Sequence, residues 1–197
     1  MSNNYDYQER RLTLISAMKK QLKWKRFVHT MGVAGIASSL ALRYDCDIRQ
    51  AEEAALLHDC AKYLDTDEME KLARKAGYGV SAVEKGSASL LHAKAGAAYA
   101  ASRFNVDDPE ILSAIRWHTT GRPGMTMLEK IIFVSDYIEP GRTTPGVEPI
   151  RTLAFSDLDS AVTAILEHTL EYLKETCFDI DEMTQLTYEY YRRLSYE

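Results

Sequence analysis

The chain has 197 residues, of which 46% are hydrophobic and 27% charged, and its formal net charge at pH 7 is −5. This length and composition predict one globular domain, residues 1–197, because domains commonly contain about 100–200 residues. The acidic balance and the lack of a long Lys/Arg run exclude a nonspecific nucleic-acid binder, which needs a basic surface to neutralise phosphates. A small anionic substrate is still allowed, because it needs only a few local cations.

Signals for membrane insertion and secretion are not found in the sequence. The longest apolar run near the N-terminus, MGVAGIASSLAL, is shorter than the roughly 20 residues that a bilayer span needs. The first residues, MSNNYDYQERRLTLI, lack the charged, apolar and small-residue regions of a signal peptide. Cys46, Cys60 and Cys177 show no CxxC spacing, which predicts reduced packing residues. We therefore expect a cytoplasmic protein that binds no membrane, and a homodimer is left open.

Helical periodicity covers most of the chain, and no alternating run is long enough to predict a strand. Asp47 is expected to cap the third helix, Thr66 to open the fourth, and Asp108, which precedes a proline, to open the sixth. Two stretches, 77–86 and 140–149, are predicted to be irregular. The sequence therefore predicts an all-α fold, with helices at about residues 5–22, 25–44, 47–64, 66–77, 88–104, 108–120, 125–139, 148–154, 157–177 and 181–194.

Six potential metal ligands lie in apolar helical segments: His29, His58, Asp59, His92, His118 and Asp136. An unpaired buried polar group costs about 1–3 kcal/mol, and an isolated buried carboxylate costs far more. A single histidine in such a segment is more often a core residue than a ligand, but six such residues are best explained as partners around a cation. The run IIFVSDYI also offers Asp136 no basic partner. Imidazole and carboxylate ligands suit iron, manganese or zinc.

The order of these residues resembles the HD-domain metal-dependent phosphohydrolases, whose pattern is a histidine, an adjacent His-Asp pair and a distal aspartate on a bundle of helices. His92 and His118 fall between the pair and the last aspartate, which resembles the subgroup that holds two metals. The stretches HDCAK, HTTGRPGM and LEKIIFVSDYIEPGR are similar to the bacterial YqeK family, and the similar region covers about residues 20–195. Members of that family cut diadenosine tetraphosphate symmetrically into two ADP, with iron as the metal.

This resemblance implies an HD-domain helical bundle that encloses a dinuclear metal site. It makes His29, His58, Asp59 and Asp136 ligands of one iron ion. It makes His92 and His118 ligands of a second, with Asp59 as the bridge. The implied reaction uses a hydroxide held by the two metals as the nucleophile, so no protein nucleophile is needed.

Two basic residues near the ligands are candidates for binding phosphate. Lys62 lies four residues after His58, so on a helix it would share the site's face; it is either a phosphate contact or a solvated lysine at a helix end. With Asp59, it is assigned a catalytic role. Arg142 is predicted to bind phosphate oxygens, because a guanidinium matches their geometry and its loop, PGRTTPGVEP, follows the Asp136 helix.

Further substrate contacts are assigned to Asp136 and, in the same loop, to the Thr143 hydroxyl and the Gly146 backbone. His168 has no place in the ligand pattern and is predicted to lie at the surface or at its boundary.

The ligands alone leave three classes of function open. The first is an enzyme that hydrolyses the phosphoanhydride of a dinucleoside polyphosphate. The second is a different HD-domain chemistry: hydrolysis of phosphomonoesters or cyclic diesters, or an iron-dependent oxygenase. The third is a nucleotide-sensing module without turnover, which the complete set of ligands and the two phosphate-binding candidates disfavour.

Overall fold

The computed structural model describes residues 2–194. This part of the chain forms only helices, with no strand: α1 (Ser2–Gln21), α2 (Trp24–Arg43), α3 (Ile48–Leu57), α4 (Thr66–Lys75), α5 (Ala82–Gly86), α6 (Ala88–Phe104), α7 (Pro109–Trp117), α8 (Met127–Ile138), α9 (Val147–Ala154), α10 (Leu158–Glu175) and α11 (Glu182–Leu194). The predicted all-α fold is therefore confirmed.

Hydrogen bonds from side chains to the first turn explain where several helices begin. Asp47 caps α3 and Asp108 caps α7, both as predicted, and each carboxylate accepts backbone N–H groups of the first turn. Helix α4 begins at Thr66 as expected, but its cap is Asp65, which forms a reciprocal capping box with Glu68. Each cap satisfies donors that the helix itself leaves without a partner.

The third helix is shorter than predicted, and this changes how the site is built. It ends at Leu57, whereas the sequence predicts helix to residue 64, and residues 58–63 form turns. In these turns the N–H of Cys60 donates to the Leu57 carbonyl over 3.0 Å. This hydrogen bond joins residues three apart, not four as in an α-helix, so the chain turns more tightly. His58 and Asp59 therefore lie at a helix end, not within a helix.

The stretch 77–86, predicted to be irregular, contains the short helix α5. The Ser81 side chain accepts the N–H of Glu84, and the Glu84 carboxylate accepts the N–H of Ser81. This capping box gives a five-residue helix a defined start that apolar periodicity alone does not reveal.

Five helices in the middle of the fold pack on one another and carry the potential ligands. Helix α2 packs against α3 and α8, and α7 packs against α3, α6 and α8. The buried apolar residues form one cluster that reaches from Leu14 in α1 to Tyr191 in α11. The same packing brings the ends of α3 and α7 close to Asp136, in the last turn of α8.

Among residues 2–194, no helix has both the length and the apolar character that crossing a membrane requires.

The three cysteines are free. Cys60 is buried, and burial raises the pKa of its thiol. Cys177 is exposed, so the prediction that it is a packing residue is wrong.

Two leucines on α2 test how strongly this core determines stability. Leu40 is 0% exposed and Leu42 is 70% exposed. We expect Leu40→Ala to lower the free energy of unfolding by about 2–5 kcal/mol, because it removes buried surface and leaves a cavity. Leu42→Ala is the matched control and should change stability by less than about 0.5 kcal/mol. Urea unfolding followed by circular dichroism measures both, and equal losses would contradict this description of the core.

Candidate metal centre

The structure brings the six potential ligands to one place from five helices or helix ends. His29 lies in α2, His92 in α6 and Asp136 in α8, while His58 and His118 are the residues at which α3 and α7 end. The ligand atoms form three overlapping groups, and within each group the atoms lie no more than 4.8 Å from one another. The groups are His29, His58 and Asp59; His58, His118 and Asp136; and Asp59, His92 and His118.

Asp59 lies between two sets of histidines and presents a different carboxylate oxygen to each set. Its Oδ2 is 3.3 Å from Nε2 of His58 and 3.7 Å from Nε2 of His29. Its Oδ1 is 3.0 Å from Nε2 of His92, which is in turn 3.0 Å from Nε2 of His118. A carboxylate in this position can serve two cations at once.

The backbone orients three of the histidine rings. Nδ1 of His58 lies 2.6 Å from the Ala55 carbonyl, Nδ1 of His118 lies 2.7 Å from that of Ile115, and Nδ1 of His92 lies 3.2 Å from that of Ala88. A carbonyl only accepts hydrogen bonds, so each Nδ1 carries the proton and donates. The lone pair of each neutral ring is then on Nε2, which faces the cluster and can bind a cation.

The electrostatics of the cluster also favour cation binding. Burial, together with the neighbouring rings of His92 and His58, lowers the pKa of His118 to about 3, and burial likewise lowers that of His92. These two rings are therefore neutral at pH 7. For Asp59, burial alone would raise the pKa, but His58 and His92 outweigh it and hold the pKa well below its usual value. The carboxylate is ionised, and against the effect of burial it raises the pKa of the adjacent His58.

Asp136 has a basic partner that the sequence analysis does not find. Its Oδ1 is 3.0 Å from Nε2 of His29 and accepts a 2.7 Å hydrogen bond from Nη2 of Arg142. The expectation of an unpartnered carboxylate is therefore wrong, because the turn after α8 folds Arg142 back onto the helix. Lys130, the nearest basic residue before Asp136 in the sequence, bonds instead to Asp159.

Two further residues contact the cluster and are missed by the sequence analysis. Nη1 of Arg26 donates to Oδ2 of Asp59 over 2.8 Å. Glu139 is buried, and its Oε1 lies 3.1 Å from Nδ1 of His29, so it orients the fourth histidine as the carbonyls orient the others. Each lies three residues from a ligand, Arg26 before His29 and Glu139 after Asp136, and this helical spacing is the signal that could have found them.

The remaining predicted residues differ in their distance from the cluster. Nζ of Lys62 lies 3.8 Å from Oδ1 of Asp59, although a tight turn, not the expected helix, brings it there. Arg142 borders a groove beside His29, whereas Thr143 is exposed and Gly146 lies at the start of α9, next to His168. His168 is half-buried, as expected for a boundary position.

Comparisons with known proteins agree with this geometry. The family model described as HD domain matches residues 26–141, which include every one of the six potential ligands. A symmetrical bis(5'-nucleosyl)-tetraphosphatase from Bacillus subtilis (strain 168) is 39% identical over 176 residues, 89% of this chain and 94% of that protein. A protein of the same name from Halalkalibacterium halodurans is 42% identical over 174 residues, 88% of this chain and 92% of that protein. The chain belongs to the HD-domain family and, within it, to the YqeK family.

A solved structure extends the comparison to the fold. The crystal structure of a predicted HD superfamily hydrolase involved in NAD metabolism, from Clostridium acetobutylicum, has a TM-score of 0.88 and 34% sequence identity with the chain. The matching region covers 94% of this chain and 97% of the Clostridium acetobutylicum chain. The HD-domain bundle predicted from the sequence is therefore confirmed, and its His/Asp cluster is a site for divalent metal.

Glu139 provides a test of how the site is oriented. Glu139→Ala should weaken metal binding by about 10–100-fold, because His29 loses the acceptor that fixes its ring. Glu139→Gln keeps an acceptor oxygen and should retain most of the affinity. Competition with a chelator, read by metal analysis, measures this. Glu110→Ala removes an exposed carboxylate from α7 and is the control. Unchanged affinity in Glu139→Ala would show that Glu139 does not orient His29.

Proposed function

We propose that the protein hydrolyses dinucleoside tetraphosphates symmetrically, cutting diadenosine tetraphosphate at its central anhydride into two ADP. The observation that carries this proposal is the position of Asp59, whose two oxygens face two sets of histidines in a chain about 40% identical to proteins named for that activity. The alternative HD-domain chemistries and a sensing module have no comparable support. The product tests below separate them from this proposal.

We assign the metal ligands as the resemblance implies. One ion would be held by His29, His58, Asp59 and Asp136, and a second by His92 and His118, with Asp59 as the shared ligand. Iron is the proposed metal, and manganese or zinc would suit the same nitrogen and oxygen donors. When bound, two such cations supply Lewis acidity, lower the pKa of a water and neutralise charge on the phosphoryl oxygens.

The basic residues at the edge of the cluster are proposed to bind the polyphosphate. Lys62, Arg26 and Arg142 each lie within 4 Å of a carboxylate of the cluster, so their charges are placed where phosphate oxygens would approach. Burial lowers the pKa of Lys62, while Asp59 opposes that shift. We propose catalytic roles for both Lys62 and Asp59: the ammonium of Lys62 would stabilise charge on the phosphate that leaves, and the Asp59 carboxylate would hold the metals. Contacts from Asp136, Thr143 and Gly146 stay predictions.

A cavity beside the first turn of α6 is proposed to bind one nucleoside. This α6 pocket, of about 470 Å³, is lined by the first turn of α6 and by the ends of α10 and α11, with Leu90, Tyr172 and Phe178 among its apolar residues. Its volume is within the range of small-molecule sites. Ser89, also in the lining, lies one helical turn before His92.

We also propose that residues 1–197 act as one domain, because a single apolar cluster joins the first and last helices. The free cysteines support a reducing compartment such as the cytoplasm.

The reaction can be tested by its products. Iron-loaded protein with diadenosine tetraphosphate should form ADP alone, because the attack is at the central anhydride. In oxygen-18 water, one ADP per turnover should carry the label. Nucleotide chromatography and mass spectrometry measure both. ATP and AMP as the main products would refute symmetrical cleavage, and the lack of multiple turnover would favour the sensing module.

The shared ligand can be tested by its effect on metal content. Asp59→Ala should lose most bound metal and nearly all activity, because one carboxylate serves both sets of histidines. His168→Ala is the control and should keep both properties, since His168 lies beside Gly146 and outside the cluster. Full metal content in Asp59→Ala, measured by elemental analysis of anaerobically purified protein, would disprove the bridging assignment.

A further inference from the structure

A second recess lies at the His29 end of the cluster, and we call it the α2 groove. It has a volume of about 670 Å³ and is formed by the start of α2, from Lys23 to Gly32, and by the segment from Glu139 to Arg142. Because His29 lines the groove and also belongs to the cluster, the groove opens directly onto the metal centre. Among the described residues, its lining shares no member with the α6 pocket.

The outer part of the groove presents an unusual aromatic surface. Trp24 is 68% exposed, although a side chain of this size usually buries most of its area. Trp24, Val28 and Gly32 follow one another at intervals of four residues, so they form one face of α2 along the groove. The Phe27 ring lies behind the indole, with 5.9 Å between ring centroids, and limits its movement.

The charges of the groove suit a phosphate chain that leads to this aromatic surface. Lys23 and Lys25 are exposed on either side of Trp24. Arg26 and Arg142 lie at the inner end, where they contact Asp59 and Asp136. The groove therefore has cations next to the metal ligands and a π face further out, the order in which a nucleotide carries its phosphates and its base.

From this arrangement we infer that the α2 groove binds the second nucleoside diphosphate half of the substrate, with its base stacked on Trp24. The inference rests on the proposed function: a symmetrical substrate cut at its centre has an equal half on each side of the metals. The groove lies at the His29 end of the cluster, which leaves the His92 side of the metals for the other half. Two separate subsites also select for a dinucleotide over a mononucleotide with the same phosphate chain.

The test compares two substrates that differ in one nucleoside. Adenosine 5'-tetraphosphate has the same four phosphates as diadenosine tetraphosphate but ends without the second adenosine, and its cleavage gives ADP and pyrophosphate. We expect Trp24→Ala to lower kcat/KM for diadenosine tetraphosphate by between about five- and one-hundred-fold, the loss of one stacked base. The same variant should leave kcat/KM for adenosine 5'-tetraphosphate unchanged.

Two further variants make the comparison specific to the stacked ring. Trp24→Phe keeps an aromatic face and should retain most of the preference for the dinucleotide. Leu42→Ala removes another exposed apolar side chain of α2, outside the groove, and should change neither substrate. An equal loss for both substrates in Trp24→Ala, or no loss for either, would overturn the inference.

A binding measurement separates this inference from the proposed function. The chain has two tryptophans, Trp24 and Trp117, so the difference in emission between the wild type and Trp24→Phe reports on Trp24. A diadenosine tetraphosphate with a methylene group at the central bridge should quench the wild-type fluorescence, and Trp24→Phe should abolish that quenching. If the wild type hydrolyses neither substrate, the proposed function fails, while this titration still decides whether Trp24 contacts a base. Equal quenching in both proteins would refute the groove assignment.

Discussion

The buried carboxylate of Asp59 is the interaction on which the site depends. An ionised carboxylate is too costly to bury unless positive charge or hydrogen-bond donors compensate for it. Here compensation comes from two sides: Arg26 of α2 and the adjacent His58, whose pKa Asp59 raises against the effect of burial. His58 and His92 outweigh the effect of burial and hold the pKa of Asp59 well below its usual value. The helices must therefore pack so that their polar residues meet at Asp59, and that requirement fixes the centre of the bundle.

The backbone at the ends of α3 and α7 contributes to the metal site as much as the side chains of these helices do. Both helices stop at a histidine of the cluster, His58 and His118. The C-terminal end of a helix carries partial negative charge and carbonyls without internal partners, which stabilise nearby cations. Ala55 and Ile115 use such carbonyls to fix the two rings. If α3 continued to residue 64, as the sequence predicts, the tight turn that carries Asp59 and Lys62 would be lost.

The sequence predicts the helices and the potential ligands well, because both depend on local pattern. Polar residues inside apolar helical segments must find partners, and that argument needs no knowledge of how the helices pack. The contacts of Arg26 and Glu139 are harder to predict from the sequence. Each residue lies near a helix end, where polar residues are common and do not have to find a buried partner. Trp24 looks like an ordinary surface residue in the sequence. It becomes informative only when the segment after α8 folds beside it and forms a groove.

That segment owes its shape to Arg151, which joins it to α9. The guanidinium of Arg151 donates to the backbone carbonyls of Ile138, Glu139 and Arg142, over 2.9, 2.9 and 2.8 Å respectively. Two of these carbonyls belong to residues that line the α2 groove, so Arg151 fixes both the orienting carboxylate of Glu139 and the position of Arg142. Arg142 is thus held with one edge of its guanidinium on Asp136. A guanidinium has five N–H donors, so Arg142 can keep Asp136 in place and still bind a phosphate that arrives along the groove.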